Sequence, residues 1–197
     1  MNSCILLTAG LSERFGSPKA LAKINSTTSV IERLQKILLD APINEIIVVL
    51  GAHAKDIKPF LLKDKKIKSV INKNYLQGQT SSFQTGLKHI SPSAEGILLL
   101  PIDYPAIKAE TMNILCNQFL TTSSKIIIPS FNDHKGHPPI FPIHLKKDFL
   151  ALHPSQGLHT VAQQHQDLTL IYSVDDPGVI TSFNTLQEFE HLKNLFA

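Results

Sequence analysis

Two runs of aliphatic residues constrain the fold of this chain more than any other feature of its sequence. Residues 46–50 read Ile-Ile-Val-Val-Leu and residues 97–100 read Ile-Leu-Leu-Leu, with no alternation of polar and apolar side chains. Strands buried on both faces have this pattern, and they occur in parallel sheets that helices cover on both sides. Each run is also far shorter than the ~20 apolar residues of a membrane-spanning helix. The sequence therefore predicts an α/β fold with a mostly parallel open sheet.

Segments of strand length alternate with segments of helical period along the chain, as expected for a three-layer α/β/α arrangement. Strands are predicted at residues 4–8, 45–50, 67–71, 96–100, 125–129 and 168–174. Amphipathic helices are predicted around residues 30–38, 83–90, 112–119 and 189–195. Ser29 with Glu32, and Thr185 with Glu188, have the spacing of capping boxes. Residues 130–142 are predicted to form a loop or short hairpin, and residues 1–197 to form one domain.

Composition and charge exclude several classes of protein. Hydrophobic residues make up 43% of the chain and charged residues 18%, which is not the composition of a disordered protein. The net charge of +3 is small and scattered, so we expect no nucleic-acid partner. Cys4 and Cys116 lie in apolar segments without a partner at metal or redox spacing, which indicates buried thiols. We expect a cytoplasmic protein that does not contact membranes.

A polar segment follows the first strand, at the sheet edge where open parallel sheets bind ligands. Residues 9–19 contain two glycines, Gly10 and Gly16, which allow close approach of the backbone to a ligand. Exposed amides together with Ser12, Arg14 and Lys19 could surround a polyphosphate. The segment is neither a Walker A loop nor a dinucleotide fingerprint. Its simplest alternative is a solvated turn with two surface cations.

Two further segments follow predicted strands or precede predicted helices. Asp103 comes directly after the buried run at 97–100, where a carboxylate is well placed to hold Mg²⁺. It could equally form a turn beside Pro105. Residues 78–82 read Gly-Gln-Thr-Ser-Ser before a helix, so they are either helix caps or contacts to a nucleotide or anion. His53 and most other histidines are predicted to be surface residues.

Five ordered motifs resemble those of the molybdenum-cofactor nucleotidyltransferases, relatives of the sugar-nucleotide pyrophosphorylases. Residues 7–19 read Leu-Thr-Ala-Gly-Leu-Ser-Glu-Arg-Phe-Gly-Ser-Pro-Lys and are similar to Leu-Ala-Ala-Gly-x-Ser-x-Arg-Met-Gly-x-Pro-Lys. Residues 78–87 are similar to Gly-Met-Ser-Ser-Ser-Leu-x-x-Gly-Leu, with Asn72 in the approach to that motif. Asp103 and Pro105 match Gly-Asp-x-Pro, and residues 136–141 resemble Gly-His-Pro-Val-x-Phe. Residues 179–185 resemble an Asp-x-Asp-Thr-Pro stretch, in which Asn184 replaces an aspartate.

The resemblance implies a nucleotide-diphospho-sugar transferase-like (Rossmann-like) fold and a role for each motif. It implies that a nucleoside monophosphate moves from an NTP to the phosphate of molybdopterin, with Mg²⁺ as cofactor and pyrophosphate as product. Asp103 and Asn184 would bind the metal, and Arg14, Lys19 and Asp103 would be catalytic. The nucleotide would contact Leu7, Thr8, Ala9, Gly10, Ser12, Asn72, Gly78, Gln79, Ser81 and Ser82, and the acceptor would contact Gly136, His137 and Pro138.

Two residues of the first loop favour one nucleotide base over another in the NTP. Ala9 and Pro18 resemble the cytidylyl-transferring branch, and a methyl group at Ala9 would crowd a purine, so CTP is predicted over GTP. The alternatives are a guanylyltransferase, a transferase acting on a sugar phosphate or another phosphorylated acceptor, and a non-catalytic nucleotide- or cofactor-binding protein. A molybdenum-cofactor enzyme would also make transient contact with a molybdoenzyme or its chaperone.

Overall fold

The computed structural model describes residues 2–196 as an eight-stranded mixed sheet flanked by helices. The strands are β1 (Asn2–Leu7), β2 (Ile43–Leu50), β3 (Ile67–Ile71), β4 (Gly96–Pro101), β5 (Ile126–Phe131), β6 (His134–Lys135), β7 (Ile140–Pro142) and β8 (Thr169–Ser173). The helices are α1 (Val30–Asp40), α2 (Ala54–Ile57), α3 (Gln79–Leu87), α4 (Ala109–Thr121), α5 (Lys146–Ala151), α6 (His159–Gln164) and α7 (Leu186–Leu192). This arrangement confirms the predicted α/β fold class.

The sheet combines parallel strands with two antiparallel strands, β6 and β7. Its order is β3-β2-β1-β4-β7-β5-β6, and β8 also pairs with β5. The pairs β3–β2, β2–β1, β1–β4 and β5–β8 are parallel, whereas β7 runs antiparallel to both β4 and β5. Residues 130–142 form the predicted hairpin, in which β6 pairs with β5. The same segment then forms β7, which lies between β4 and β5 in the sheet.

The core lies in two layers, one on each face of the sheet. Along β1, Cys4 and Leu6 pack with α1, α4 and α7 in one layer. Ile5 and Leu7 pack with α3, α5 and α6 in the other layer. Both faces of β1 are therefore buried, which is why this strand is apolar at successive positions. Both cysteines are free and buried, and burial raises the pKa of the Cys116 thiol to about 12.

Local signals set several helix ends. Ser29 caps α1 by accepting from the backbone N–H of Glu32, and the Glu32 carboxylate accepts from the Ser29 backbone. Thr185 and Glu188 form the same reciprocal pair at the start of α7, so both predicted capping boxes are confirmed. Among the described residues, no helix has the length and apolar character needed to cross a membrane. The register pairs Leu7 with Pro101, which brings the segments after β1 and β4 to one sheet edge.

Candidate nucleotide site

A cavity of about 340 Å³ opens at the carboxyl ends of β1 and β4. Most of the residues assigned to the site from the sequence line it: Leu7, Thr8, Ala9, Gly10, Ser12, Arg14, Lys19, Gly78, Gln79, Ser82, Asp103 and Asn184. Five of the assigned residues are absent from its lining: Asn72, Ser81, Gly136, His137 and Pro138. The cavity therefore joins the first loop, the start of α3, the segment after β4 and the segment before α7.

The first loop is held in a tight, left-handed turn. Ser12 has a φ of 57° and Gly16 a φ of 80°, and the backbone N–H of Gly16 donates to the Ser12 carbonyl at 3.0 Å. The Ser12 hydroxyl accepts from the backbone N–H of Lys19 at 3.3 Å. A Cβ added to Gly10 would meet no atom within 4 Å, so the backbone at Gly10 is open to a ligand. This turn places Arg14 and Lys19 on the cavity wall.

The charged centre of the cavity consists of Arg14, Lys19, Asp103 and Asn184. Lys19 Nζ lies 3.8 Å from Asp103 Oδ2. The same ammonium donates to Asn184 Oδ1 at 2.9 Å, and Arg14 Nη2 donates to that oxygen at 3.1 Å. The Lys19 and Asp103 side chains are only 13% and 24% exposed. Two cations, one carboxylate and one amide thus meet in one partly buried cluster.

Burial shifts the pKa values of both Lys19 and Asp103. Burial raises the pKa of Asp103 above its usual value, and the Lys19 and Arg14 cations oppose that shift. Burial also lowers the pKa of Lys19, with Asp103 opposing the change and Arg14 adding to it. The two cations therefore repel each other in a partly desolvated space.

The family is established by a match that covers most of the chain. Residues 4–168 match the model of the MobA-like NTP transferase domain. This chain belongs to that family. Because the match ends at residue 168, it covers the first loop, α3 and Asp103, but not the segment that carries Asn184.

One relative and two solved structures share 20–28% sequence identity with this MobA-like chain. A probable molybdenum cofactor guanylyltransferase of Bacillus cereus (strain Q1) is 28% identical over 131 residues, which is 66% of this chain and 62% of that protein. Rv0371c of Mycobacterium tuberculosis H37Rv superposes with a TM-score of 0.85 at 22% identity, over 98% of this chain and 97% of that one. A structure of Rv0371c in complex with manganese gives a TM-score of 0.79 at 20% identity, over 98% of both chains. The two structural likenesses show the fold.

The donor set of this MobA-like site fits a divalent metal only in part. Among residues 2–196, no group of three or more His, Cys, Asp or Glu side chains could hold a metal ion. Asp103 supplies one carboxylate at the cavity, which suits Mg²⁺ because this ion takes few protein carboxylates and uses substrate phosphates for other positions. Asn184 Oδ1 already accepts from two cations. Asn184 as a second metal ligand therefore stays a prediction that requires Lys19 and Arg14 to move.

Asn72 and Ser81 support the segment that faces the cavity. The Asn72 amide donates to the Ser81 and Ser82 hydroxyls, both at 3.0 Å, and its carbonyl accepts from the Asn74 backbone at 2.9 Å. The Ser81 hydroxyl also donates to the Gly78 carbonyl at 2.9 Å. Asn72 and Ser81 thus fix the turn before α3, while Gly78, Gln79 and Ser82 line the cavity.

The segment Gly136–His137–Pro138 does not line the cavity and contacts Tyr104 instead. The His137 ring packs against the Tyr104 ring with centroids 4.4 Å apart. Its Nδ1 is buried and has no hydrogen-bond partner among the described residues. Burial lowers the pKa of His137 to about 4, although a hydrogen bond to the Leu99 backbone opposes the shift. His137 is therefore neutral at physiological pH, and its unpaired Nδ1 is closed off from solvent.

Ala9 does not project into the cavity as the prediction of CTP assumed. Ala9 is 3% exposed, and a Cβ built on Gly51 would lie 2.7 Å from the Ala9 Cβ. The Ala9 methyl group therefore packs inside the protein against Gly51. It does not narrow the cavity against a purine, and this steric reason for CTP is wrong.

His53 is a cavity residue that the sequence did not indicate. Its Nε2 lies 2.9 Å from the Leu11 carbonyl oxygen, and its ring lines the cavity together with Tyr75. His53 follows β2 and is 42 residues away from Leu11 in sequence. The contact depends on β1 and β2 being neighbours, and no local pattern marks it. It joins the loop after β2 to the first loop.

Proposed function

We propose that this chain transfers a nucleoside monophosphate from an NTP to the phosphate of a molybdopterin-type acceptor and releases pyrophosphate. One observation carries the proposal: Arg14 and Lys19 converge with Asp103 in one cavity at the carboxyl edge of the sheet. Such an edge is where open α/β sheets bind ligands. Two cations beside a single carboxylate suit a substrate that carries several phosphates and a metal ion.

The reaction joins two anions, so alignment and charge neutralisation account for most of its catalysis. An oxygen of the acceptor phosphate attacks the α-phosphorus of the NTP, and the bond from that phosphorus to the bridging oxygen of the β-phosphate breaks. Arg14 and Lys19 hold the β- and γ-phosphates and neutralise the charge that develops on the leaving pyrophosphate. Asp103 would hold Mg²⁺, and the bound ion would draw charge from the phosphate oxygens.

The rest of the cavity suits the nucleoside. The backbone at Ala9 and Gly10, together with Ser12, contacts the phosphates and ribose, while Gly78, Gln79 and Ser82 face the base and ribose from the start of α3. Gly136, His137 and Pro138 lie outside the cavity lining, and we assign them to the acceptor side, next to Tyr104. The neutral His137 packs against Tyr104, whose neighbour Asp103 lines the cavity.

GTP is the better supported donor. The relative from Bacillus cereus is named a probable guanylyltransferase, and the buried Ala9 methyl removes the steric reason for excluding a purine. CTP is the second candidate, because the Ala9–Gly10 and Pro18–Lys19 pairs resemble the cytidylyl branch.

A pyrophosphate-release assay tests the proposal. The purified chain is incubated with Mg²⁺ and each of the four NTPs, with and without molybdopterin, and with glucose 1-phosphate as the competing acceptor. We expect release that depends on molybdopterin and is fastest with GTP or CTP. Release only with glucose 1-phosphate would assign the chain to the sugar-phosphate class. NTP binding without release on either acceptor would favour the non-catalytic alternative.

A further inference from the structure

The side-chain oxygen of Asn184 connects the two cations of the first loop. Lys19 Nζ and Arg14 Nη2 both donate to Asn184 Oδ1, at 2.9 and 3.1 Å. Asn184 is 165 residues from Lys19 and 170 from Arg14 in sequence, so these are tertiary contacts. An amide oxygen has two lone pairs, and both are engaged here.

The backbone around Asn184 is fixed on both sides. Before it, the Phe183 N–H donates to the Asp103 carbonyl at 3.2 Å. At Asn184 itself, the backbone N–H donates to Glu188 Oε2 at 2.5 Å, next to the capping box of α7. The buried Phe183 ring meets the Phe15 ring edge-on, with centroids 5.3 Å apart. Phe15 follows Arg14 directly, so the loop with the cations is packed onto the segment that carries Asn184.

We propose that Asn184 is a positioning residue that holds Lys19 and Arg14 side by side before the nucleotide binds. This inference rests on the proposed function, because it assigns both cations to the pyrophosphate portion of the NTP. Because the Lys19 ammonium and the Arg14 guanidinium both reach one oxygen, two positive charges lie close together and repel each other. The Asn184 carbonyl lies between them and offsets that repulsion through its dipole.

The neutrality of Asn184 is essential to this role. A carboxylate at this position would form ion pairs with both cations and would compete with the phosphates for them. An amide oxygen holds the same two donors more weakly and leaves their full positive charge available to the substrate. Asn184 therefore prepares the cations without neutralising them.

Binding of inorganic pyrophosphate without metal tests this role. Affinities are measured by calorimetry in EDTA for the wild-type chain, Asn184→Ala and Asn184→Asp, with Asn117→Ala on the exposed face of α4 as the matched control. We expect Asn184→Ala to weaken pyrophosphate binding about five- to tenfold, because the cations lose their common acceptor. We expect Asn184→Asp to weaken it at least as much, and Asn117→Ala to leave it unchanged.

A second ligand separates positioning from a general structural defect. Affinities for GMP and CMP should stay within about twofold in both Asn184 variants, because these ligands lack the β- and γ-phosphates. Equal losses for pyrophosphate and for the monophosphates would overturn the inference, as would unchanged pyrophosphate binding in both variants. Tighter Mg²⁺ binding by Asn184→Asp with unchanged metal-free pyrophosphate binding would make Asn184 a metal ligand instead. A wild-type chain that binds neither pyrophosphate nor NTP would overturn the proposed function together with this inference.

Discussion

The backbone N–H of Phe183 donates to the backbone carbonyl of Asp103 at 3.2 Å. This bond joins the segment after β4 to the segment before α7 without using the Asp103 side chain. The carboxylate can therefore be removed while the main-chain connection stays in place.

We predict that Asp103→Ala retains its fold and loses at least about a hundredfold in turnover, because the cavity loses its carboxylate for the metal. Circular dichroism and urea unfolding would check the fold, and pyrophosphate release would check turnover. Asp40→Ala is the matched control, since Asp40 is exposed at the end of α1. Turnover in Asp103→Ala close to that of Asp40→Ala would remove Asp103 from the reaction.

Two glycines near the cavity should behave oppositely when changed to alanine. A Cβ on Gly10 would meet no atom within 4 Å, whereas one on Gly51 would lie 2.7 Å from the Ala9 Cβ. We expect Gly51→Ala to lower the free energy of unfolding by about 1–3 kcal/mol, because it overpacks the core. Gly10→Ala should change that free energy by less than about 0.5 kcal/mol. It should nevertheless weaken NTP binding severalfold, because the methyl group occupies space that the ligand uses.

Urea titrations and NTP-binding isotherms of the two glycine variants are the measurements. Unchanged NTP affinity in Gly10→Ala would show that the ligand does not approach the backbone there. A Gly51→Ala chain as stable as the wild type would show that the contact with Ala9 relaxes at little cost.

His137 should make the stability of the chain depend on pH in the acidic range. Burial lowers its pKa to about 4, against the usual value of 6.5. Because the unfolded chain binds the proton more readily, the stabilisation by neutral His137 is complete above about pH 6.5 and is lost as the pH falls toward 4. A pKa shift of this size corresponds to about 3 kcal/mol in the free energy of unfolding.

Urea unfolding between pH 4 and 7 measures this dependence. The slope of the free energy of unfolding against pH should be much smaller in His137→Gln than in the wild type. The control is His134→Gln, which alters an exposed histidine of the neighbouring hairpin and should leave the slope unchanged. Identical slopes in the wild type and His137→Gln would contradict the buried, neutral state of His137.

Ala9→Gly should not change the choice between GTP and CTP. The Ala9 methyl packs against Gly51 and is 3% exposed. We expect the ratio of kcat/KM for the two nucleotides to stay within about twofold and the stability to fall by about 0.5–1 kcal/mol. A tenfold gain for GTP in a competition assay would restore the steric argument for CTP.

The sequence predicts the parts of the fold that depend on local patterns. All six predicted strands are present, with their ends shifted by no more than two residues, because uninterrupted apolar runs are typical of strands buried on both faces. The capping boxes at Ser29 and Thr185 are confirmed because they involve residues three positions apart. Lys19 and Asp103 could be expected to lie close together, because both follow strands that end at the carboxyl edge of the sheet, where ligands bind.

Other features depend on long-range contacts that no local pattern encodes. β7 is three residues long, and its antiparallel place between β4 and β5 depends on pairing across the sheet. The contact of His53 with Leu11 and the bond from Arg14 to Asn184 join segments 42 and 170 residues apart. The direction of the Ala9 methyl group was predicted incorrectly because it depends on the neighbouring strand, which carries Gly51.

Mass spectrometry of the reaction product separates nucleotide transfer from hydrolysis of the NTP and from binding alone. The chain is incubated with molybdopterin, GTP, CTP and Mg²⁺, and both the mass of the acceptor and the amount of pyrophosphate are measured. We predict that the acceptor gains the mass of one GMP or CMP for each pyrophosphate released, and that Asp103→Ala forms no such product. An acceptor of unchanged mass, with the NTP intact or merely hydrolysed, would contradict it.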